Sequence, residues 1–421
     1  MVGFTNIEDR GQEGMELAYD DLLKAEPGLR RIIRDGRHRI VQEVEQIRPP
    51  RPGKDLTLSL DRRLQFLAYR ELMKAVREHK AKGGTVVVLD VATGEVLAMV
   101  NQPGYNPNAD RETDADHRRN RALTDVMEPG STAKPFVVAA ALEKKLISPG
   151  TRIATGSGTM KVGSNVVRDV HSYGTLDVTG VITKSSNVGS VKIAQMMDYA
   201  TLWNLYDQLG FGHATGVGFP GETVGRLRHY TKWRPFDHAT MAFGYSFSVT
   251  ALQLAQSYVV LAADGLKRPV TLLKRTPATA GDERPVEAVT PTTVRVLSAD
   301  TARKVRAMME TVVSDQGTAK LAQIPGYRVG GKTGTAKKAG PGGYGAGRYQ
   351  SVFAGFIPAG QPRLVMVVMV DEPRGGAYYG GVVAAPVFQR VMEGAMRLLN
   401  IPPDDLEPSM LLAVAGREPA P

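Results

Sequence analysis

The sequence predicts an α/β fold of the α+β type, built on one antiparallel five-stranded sheet that helices flank. A hairpin pattern lies early in the chain, because TVVVLDVATGEVLAMV (85–100) places β-branched runs on both sides of a turn at 92–94. Three more strand patterns follow one another near the end of the chain, at 327–335, 350–357 and 364–371. The patterns between these two groups are mainly helical. We therefore expect both ends of the chain to form one sheet, with a mainly helical subdomain inserted between them.

The region before this fold is short and has its own boundary. Residues 1–55 include one short predicted helix at 15–23 and end in IRPPRPGKD (47–55), whose prolines and charges predict a linker. About fifty residues form only a marginal core by themselves. We therefore predict a small N-terminal remnant over 1–55, the main domain over 56–403, and a flexible Pro-rich tail over 404–421.

Helices dominate the rest of the prediction. Ser59 is the predicted N-cap of an amphipathic helix of about twenty residues, because leucines recur after it at helical spacing. Apolar runs predict further helices at 131–146, 176–209 with a break at 184–190, 249–263, 299–313 and 385–399. Loops are predicted at 275–291 and, because of its glycines, at 339–347.

Composition narrows the possible functions before any motif is considered. The 421 residues include no cysteine, which excludes disulfides, cysteine nucleophiles and cysteine-bound zinc. The net charge of +10 fits a nucleic-acid binder, or a protein beside an anionic polymer or membrane. The sequence has no base-reading basic helix, aromatic RNA-binding motif or zinc finger. We therefore expect a solvated basic surface and no nucleic acid.

A serine and a lysine three residues apart stand at the start of an apolar helix in EPGSTAKPF (128–136). Residues three apart share a helix face, so Lys134 is expected beside the Ser131 hydroxyl. Burial among the apolar residues that follow disfavours an ammonium and lowers the pKa of the lysine. A neutral amine beside a hydroxyl is a general base beside a nucleophile. The pair alone is a weak signal, since S-x-x-K also fits a capped helix with a solvent-facing lysine.

Two more fragments supply the context for this pair. SSN places a hydroxyl and an amide at a break between helices, with Ser185 and Asn187 as candidates. KTGT puts Lys332 on a strand whose glycine, Gly334, lets a substrate backbone approach closely. S-x-x-K, S-x-N and K-T-G, in this order, form the serine acyl-transferase signature of penicillin-binding proteins and class A β-lactamases.

The lysine of the third fragment also fits a competing motif. GYRVGGKT (326–333) matches the phosphate-binding loop of ATPases letter for letter, and VVMVDE (367–372) imitates a magnesium-binding strand. Such a loop needs a helix directly after it, because the helix N-terminus helps to bind the phosphates. The segment after this one, TAKKAGPGGYGAG, is among the least helical stretches of the chain. An ATPase is therefore a remote alternative, and the intact motif residues disfavour a non-catalytic scaffold.

Longer stretches extend the likeness over nearly the whole chain. The sequence resembles a class B penicillin-binding protein, specifically the septal, cell-division peptidoglycan D,D-transpeptidase of Gram-negative bacteria. The stretches that carry the resemblance are RGQEGMELAYD (10–20), VLDVATGEVLAMVNQPGYNPN (89–108), RNRALTDVMEPGSTAKPF (119–136), KSSNVG (184–189), FGYSFSVTALQLAQSY (243–258), GYRVGGKTGTAKK (326–338) and VDEPRGGAYYGGVVAAPVF (370–388). The resemblance implies the penicillin-binding transpeptidase fold, a serine acyl-enzyme that β-lactams block, and neither cofactor nor metal. It also identifies residues 1–55 as the remnant of a non-catalytic pedestal domain.

The resemblance assigns roles to the motif residues. Ser131 attacks the penultimate D-alanine of a D-Ala-D-Ala stem peptide, and Lys134 takes the serine proton. Ser185 relays a proton to the leaving amine, with Lys332 near it. Asn187 holds the amide side chain of the substrate and Lys134.

Further roles fall on the KTGT strand and on nearby tyrosines. The backbone N–H groups of Ser131 and Thr335 form the oxyanion hole. The substrate adds to the strand as an extra strand, and Thr333 and Thr335 bind its terminal carboxylate beside Gly334. Three tyrosines near the cleft complete the implied site, either by packing or by contacting the ligand: Tyr245, Tyr378 and Tyr379.

A serine β-lactamase and a D,D-carboxypeptidase would share the acylation step. A class A lactamase also needs a glutamate, between the second and third motifs, that delivers water to the ester. Four glutamates lie in that interval, none of them in such a setting: Glu222, Glu283, Glu287 and Glu310. The ester is therefore expected to persist until an amine attacks it, and the resemblance identifies this amine as the diaminopimelate side chain of a neighbouring strand.

The resemblance also implies partners and a location. The expected partners are peptidoglycan stem peptides, β-lactam antibiotics and divisome proteins, including a septal glycosyltransferase. The family begins with a cytoplasmic tail and one membrane helix, which places the native protein on the periplasmic face of the inner membrane. No apolar run here has the length that spans a bilayer, so the chain as given is expected to be soluble and to lack the anchor. One departure stands near the cleft, where the family commonly has GYG and this chain has Ser246 as the third residue.

Overall fold

The computed structural model describes residues 1–108, 114–275, 292–340 and 343–405, with the backbone alone at 339–340 and 343–346. The predicted loop at 275–291 and the predicted tail at 404–421 lie almost entirely outside the described residues. The chain forms two compact units. The first comprises Met1–Leu58 with the short segments Tyr105–Thr113 and Gly218–Gly221, and the second comprises the rest.

The first unit contains two short helices and a hairpin. Helices α1 (Gly14–Ala18) and α2 (Asp20–Leu23) replace the single helix predicted at 15–23. Strands β1 (Leu29–Arg34) and β2 (Ile40–Arg48) form an antiparallel pair that the sequence prediction missed. Every residue of β2 is exposed, so the pair has no buried face that would produce an alternating apolar pattern.

The second unit contains the remaining helices. They are α3 (Arg62–Glu78), α4 (Ala115–Arg118), α5 (Arg121–Thr124), α6 (Lys134–Glu143), α7 (Val178–Thr183), α8 (Asn187–Ala194), α9 (Tyr199–Leu209), α10 (Pro235–Met241), α11 (Ala251–Ala262), α12 (Ala299–Glu310), α13 (Gly380–Val383) and α14 (Ala385–Leu398). Short 3-10 turns occur at Gly130–Ala133, Tyr230–Lys232, Thr311–Val313 and Lys320–Ala322. Within the described ranges, no helix is long and apolar enough to cross a membrane.

One five-stranded antiparallel sheet lies at the centre of the second unit, in the order β11-β12-β13-β3-β4. Its strands are β3 (Gly83–Asp90), β4 (Val96–Gln102), β11 (Gly330–Gly340), β12 (Gly343–Ile357) and β13 (Leu364–Asp371). The early hairpin therefore joins the three last strands, which confirms the predicted fold class. Small two-stranded pairs accompany it: β5 (Arg152–Gly156) with β8 (Gly174–Asp177), β6 (Thr159–Val162) with β7 (Asn165–Arg168), and β9 (Leu266–Lys267) with β10 (Val294–Arg295).

Helices cover both faces of the sheet. Every residue of β3 and β13 except the last is buried, although successive side chains point to opposite faces. The fully buried helix α11 packs against β13 and β3, and α3 packs against β4 and α14. Among the strands that the structure describes, β11 pairs only with β12, so its other edge can accept an added strand.

Two boundaries differ from the sequence prediction. The N-cap of α3 is Asp61, whose carboxylate accepts hydrogen bonds from the N–H groups of Arg63 and Leu64. The Ser59 hydroxyl, predicted as the cap, instead donates to the Val96 carbonyl at 2.8 Å and so ties the chain to β4. The predicted loop at 339–347 is wrong over most of its length, because β11 extends to Gly340 and β12 starts at Gly343, with Ala339 paired to Tyr344 and Gly340 to Gly343. Cross-strand pairing here overrides the low strand propensity of glycine.

Candidate active site

Ser131 lies on the 3-10 turn that leads into α6, at the position where the predicted helix begins. Two side-chain hydrogen bonds fix the backbone of this turn. The Thr132 hydroxyl donates to the Pro129 carbonyl at 2.6 Å, and the Tyr258 hydroxyl donates to the Thr132 carbonyl at 2.9 Å. Ser131 is half-buried, and among the described residues its hydroxyl has no hydrogen-bond partner. The hydroxyl is therefore available to a substrate while its backbone is fixed.

Two glycines bring neighbouring segments against this turn. Gly244 has a φ of +82°, and a Cβ at this position would lie 1.9 Å from the Gly130 carbonyl oxygen. At Gly334 a Cβ would lie 3.0 Å from both the Pro129 carbonyl oxygen and a methyl of Thr132. The glycine of the KTG fragment therefore lets β11 approach the serine turn, in addition to any approach by substrate.

Lys134 is fully buried, and its ammonium position is defined by three contacts. Nζ donates to the Ser185 carbonyl at 2.6 Å and to Asn187 Oδ1 at 2.7 Å, and it lies 3.2 Å from Ser185 Oγ. Burial lowers the pKa of Lys134 to about 7, although the charge of Asp169 opposes the shift. Two carbonyl oxygens take two hydrogens, so the neutral amine keeps its lone pair available as a base.

Lys332 is the second buried lysine of the site. It lies within β11, and its Nζ donates to Ser185 Oγ at 2.9 Å and to the Thr333 carbonyl at 3.3 Å. Burial, and secondly the charge of Lys134, hold its pKa well below the ordinary lysine value. The chain continues after it as strand and not as helix, so the phosphate-binding-loop alternative lacks the element that binds phosphate.

Ser185 connects the two lysines. Its single hydroxyl proton can be donated to one amine while its oxygen accepts from the other, which makes it a proton relay. Its backbone has a φ of +59°, an unfavourable conformation for a residue with a side chain. The three motifs, distant in sequence, thus meet around this one hydroxyl.

Asp169 holds the SSN break in place, and the sequence reasoning missed it. Its carboxylate accepts from the Ser186 hydroxyl at 2.6 Å and from the Val188 N–H at 2.9 Å, and it also accepts from the Asn187 N–H. The amide nitrogen of Asn187 donates to the Arg168 carbonyl at 2.8 Å. No motif marks Asp169, because its position depends on the β6–β7 hairpin that returns the chain to the start of α8.

Two threonine hydroxyls of β11 lie beyond the lysines. Thr333 Oγ1 lies 2.7 Å from Thr318 Oγ1, and Thr335 Oγ1 accepts from the Gly380 N–H at 3.0 Å. Thr318 is another residue that the sequence reasoning missed, since it lies in an irregular segment with no motif of its own. The carboxylate-binding and oxyanion-hole roles of Thr333 and Thr335 stay predictions.

Aromatic side chains line the segment next to the strand end. The Tyr245 hydroxyl accepts from the Lys337 N–H at 3.3 Å. Tyr378 stacks between Tyr349 and Tyr379, with ring centroids 4.2 Å and 4.6 Å apart. Tyr349 was not predicted. The contacts support packing and loop anchoring for the predicted tyrosines, and contact with a ligand stays a prediction.

Comparisons with known proteins agree with this geometry. The penicillin binding protein transpeptidase domain matches residues 84–393, and the penicillin-binding protein dimerisation domain matches residues 3–58. The chain is 44% identical over 400 residues to the probable peptidoglycan D,D-transpeptidase PenA of Neisseria flavescens, covering 94% of this chain and 96% of that protein. It is 41% identical over 406 residues to the peptidoglycan D,D-transpeptidase FtsI of Escherichia coli, covering 96% of this chain and 66% of that protein.

A solved structure extends the likeness to three dimensions. The apo TP domain of penicillin-binding protein 3 from Burkholderia pseudomallei superposes with a TM-score of 0.74 at 44% identity. The match covers 84% of this chain and 99% of that one. With the family match spanning most of the second unit, the chain belongs to the penicillin-binding protein transpeptidase family, as a member of its class B.

Proposed function

We propose that this chain is a serine-type D-Ala-D-Ala transpeptidase that cross-links peptidoglycan stem peptides during septal wall synthesis. The observation that carries the proposal is the meeting of two buried lysines, Lys134 and Lys332, on the Ser185 hydroxyl. This relay lies beside the Ser131 turn and the free edge of β11. The names of the relatives support the choice of peptidoglycan as the substrate.

The acylation step follows from these groups. Ser131 Oγ attacks the carbonyl carbon of the penultimate D-alanine, and its proton passes to neutral Lys134. The bond to the nitrogen of the last D-alanine breaks, and this nitrogen takes a proton from Ser185, which a lysine resupplies. The N–H groups of Ser131 and Thr335 stabilise the developing oxyanion, and Thr333 and Thr335 bind the terminal carboxylate.

The second step regenerates the serine. A diaminopimelate amine attacks the ester carbonyl, a C–N bond forms, and the C–O bond to Ser131 breaks. The amine loses a proton to the relay, and Ser131 Oγ regains one. A penicillin would acylate Ser131 by the same attack, but its leaving nitrogen stays attached through the opened ring, so no group departs to make room for the acceptor amine and the enzyme stays blocked.

Hydrolysis of the ester is the competing fate, and the described carboxylates do not favour it. Glu222 accepts from the Thr215 N–H at 2.7 Å, and Glu310 pairs with Arg328 at 2.8 Å. Glu283 and Glu287 lie outside the described residues. Asp169 is engaged by three donors at the SSN break. A lactamase and a carboxypeptidase are thus the weaker alternatives.

The finer parts of the proposal concern domains, partners and location. Residues 1–55 would form part of the non-catalytic domain, and 56–403 the transpeptidase domain, a division supported by the two family matches. The partners would include divisome proteins and a septal glycosyltransferase, and the protein would act on the periplasmic face of the inner membrane. These statements rest on the likeness to division transpeptidases.

Labelled penicillin tests the proposed function directly. Incubation should add one adduct, which intact-mass and peptide analysis should place on Ser131. Ser131→Ala should abolish the adduct, with circular dichroism as the control for folding. The adduct should then persist for at least many minutes, since none of the described carboxylates discussed above is free to deliver water. Equal labelling of Ser131→Ala would refute the assignment, and rapid turnover of the β-lactam would identify a lactamase.

A further inference from the structure

Lys184 is a cation at the SSN break, and its hydrogen-bond partners among the described residues are uncharged. Its Nζ donates to the Gln316 backbone carbonyl at 2.7 Å and lies 3.4 Å from the Gln316 side-chain oxygen. The nearest acid in sequence to that partner, Asp315, pairs with Lys320 at 2.9 Å. Across the part of the chain that the structure describes, no carboxylate pairs with Lys184. Its charge is therefore matched by neutral oxygens alone.

The position of this cation relates it to the SSN break and to strand β11. Lys184 directly precedes Ser185, whose hydroxyl lies between the two catalytic lysines. Gln316 lies two residues before Thr318, whose hydroxyl contacts Thr333 at 2.7 Å. The contact between Lys184 and Gln316 therefore links the SSN break to the segment that contacts Thr333, one of the proposed carboxylate-binding threonines.

The leaving group determines where the acceptor amine binds. Expulsion of the D-alanine amine and attack by the acceptor amine are the same step in opposite directions, so both amines occupy one place. The carboxylate beside the attacking amine then repeats that of the departed D-alanine and takes Thr333 and Thr335. What the acceptor adds is the rest of its peptide, and Lys184, linked through Gln316 to the segment that contacts Thr333, is a charge near that place.

We propose that Lys184 binds a carboxylate of the acceptor peptide, distinct from the one beside the attacking amine. The inference rests on the proposed function and specifies how that site chooses its acceptor. A carboxylate replaces the Gln316 carbonyl as the partner of Nζ, because a charge-assisted hydrogen bond is stronger than one to a neutral oxygen. The bond-making step is unchanged: the C–N bond forms, the ester C–O bond breaks, and the proton returns to Ser131.

Two acceptors and three variants test this role with a D-Ala-D-Ala donor. One acceptor is a stem tripeptide with free carboxylates, and the other is D-alanine, which carries only the amine and its adjacent carboxylate. Lys184→Met should lower kcat/KM for the tripeptide about tenfold and change it less than about twofold for D-alanine. Lys184→Arg should keep most of the activity. Lys192→Met is the matched control, because the Lys192 ammonium also donates to a backbone carbonyl, that of Ala154.

A third acceptor identifies the group that is recognised. Amidation of the tripeptide carboxylates away from the attacking amine should lower kcat/KM of the wild type for this acceptor about tenfold. The kcat/KM of Lys184→Met should not change. Equal losses for the tripeptide and D-alanine, or a slower acylation by penicillin, would mean a structural role and overturn the inference. Equal attack on the wild-type acyl-enzyme by the charged and the amidated tripeptide would also overturn it. Failure of Ser131 to be acylated at all would instead overturn the proposed function.

Discussion

Lys134 shows how one buried side chain sets the chemistry of the site. Burial holds its pKa at about 7, so near neutral pH a large share of the amine is free of its proton and able to act as a base. The acylation rate of Ser131 is therefore expected to rise as pH passes through about 7 and to level off above it. The rate constant for a fluorescent penicillin, measured between about pH 5.5 and 9, provides the test. A rate independent of pH across this range would contradict the role of Lys134.

The matched variant for this prediction is Lys134→Arg. A guanidinium stays protonated at all these pH values and cannot accept the serine proton. Acylation is expected to fall about a thousandfold, and the pH dependence should disappear. Thermal unfolding is the control, because the buried amine also links stability to pH. The folded pKa lies below the ordinary value of 10.5, so the cost of burying this amine is full below about pH 7 and fades as pH rises to 10.5.

The site residues that could be predicted from the sequence are those that belong to a recognisable motif. Ser131, Lys134, Ser185, Asn187 and Lys332 were chosen from three short fragments, and the structure brings four of their side chains within one hydrogen-bonded group. The residues that the sequence prediction missed lie in other segments of the chain. Asp169, Thr318 and Tyr349 each reach the site from a segment without a motif, so a single sequence carries no signal for them.

The SSN break lies at the start of α8, and hydrogen bonds to the Asp169 carboxylate hold this helix start in place. Asp169→Asn would remove one carboxylate oxygen from three donors, and acylation should slow about tenfold as Asn187 loses its position. The substitution also removes the anion that raises the pKa of Lys134. The midpoint of the pH–rate profile should therefore move to lower pH, which a purely structural defect would not cause.

Measurement of the full pH profile separates these two effects. Asp198→Asn offers a control, since Asp198 also caps a helix start, that of α9, by accepting from the Thr201 N–H. That variant should lose some stability and keep the midpoint of the wild type. A midpoint in Asp169→Asn equal to or above that of the wild type would refute the electrostatic part of the prediction.

The long elements were predictable from sequence, and the short ones were not. Helices α11 and α14 and strand β13 lie within two residues of their predicted ends, because each buries a continuous apolar pattern. The pairs formed by β5 to β8 have at most five residues per strand and many exposed positions, so no periodic pattern marks them. The cap of α3 was misplaced by two residues because Ser59 and Asp61 both fit the capping preference.

At the scale of the whole molecule, the central sheet combines strands from the beginning and from the end of the second unit. Strand β3 pairs with β13 over eight residue pairs, although about 280 residues separate them in sequence. The hydrophobic patterns predicted this arrangement because five strands and the covering helices account for one core. The motif residues, by contrast, all lie in the second unit, on or beside elements of this sheet and its helical insertion.

A fragment that starts at residue 59 tests whether the second unit suffices for the acylation chemistry. The sheet, its covering helices and all the motif residues belong to this unit, and the solved relative that matches it is itself a TP domain. The fragment 59–421 should therefore fold and be labelled by penicillin at Ser131 within about twofold of the full-chain rate, because the relay around Ser185 is internal to it. The fragment with Ser131→Ala provides the background, and circular dichroism monitors folding. A folded fragment that is not labelled would show that acylation needs the first unit, and would contradict a relay complete in itself.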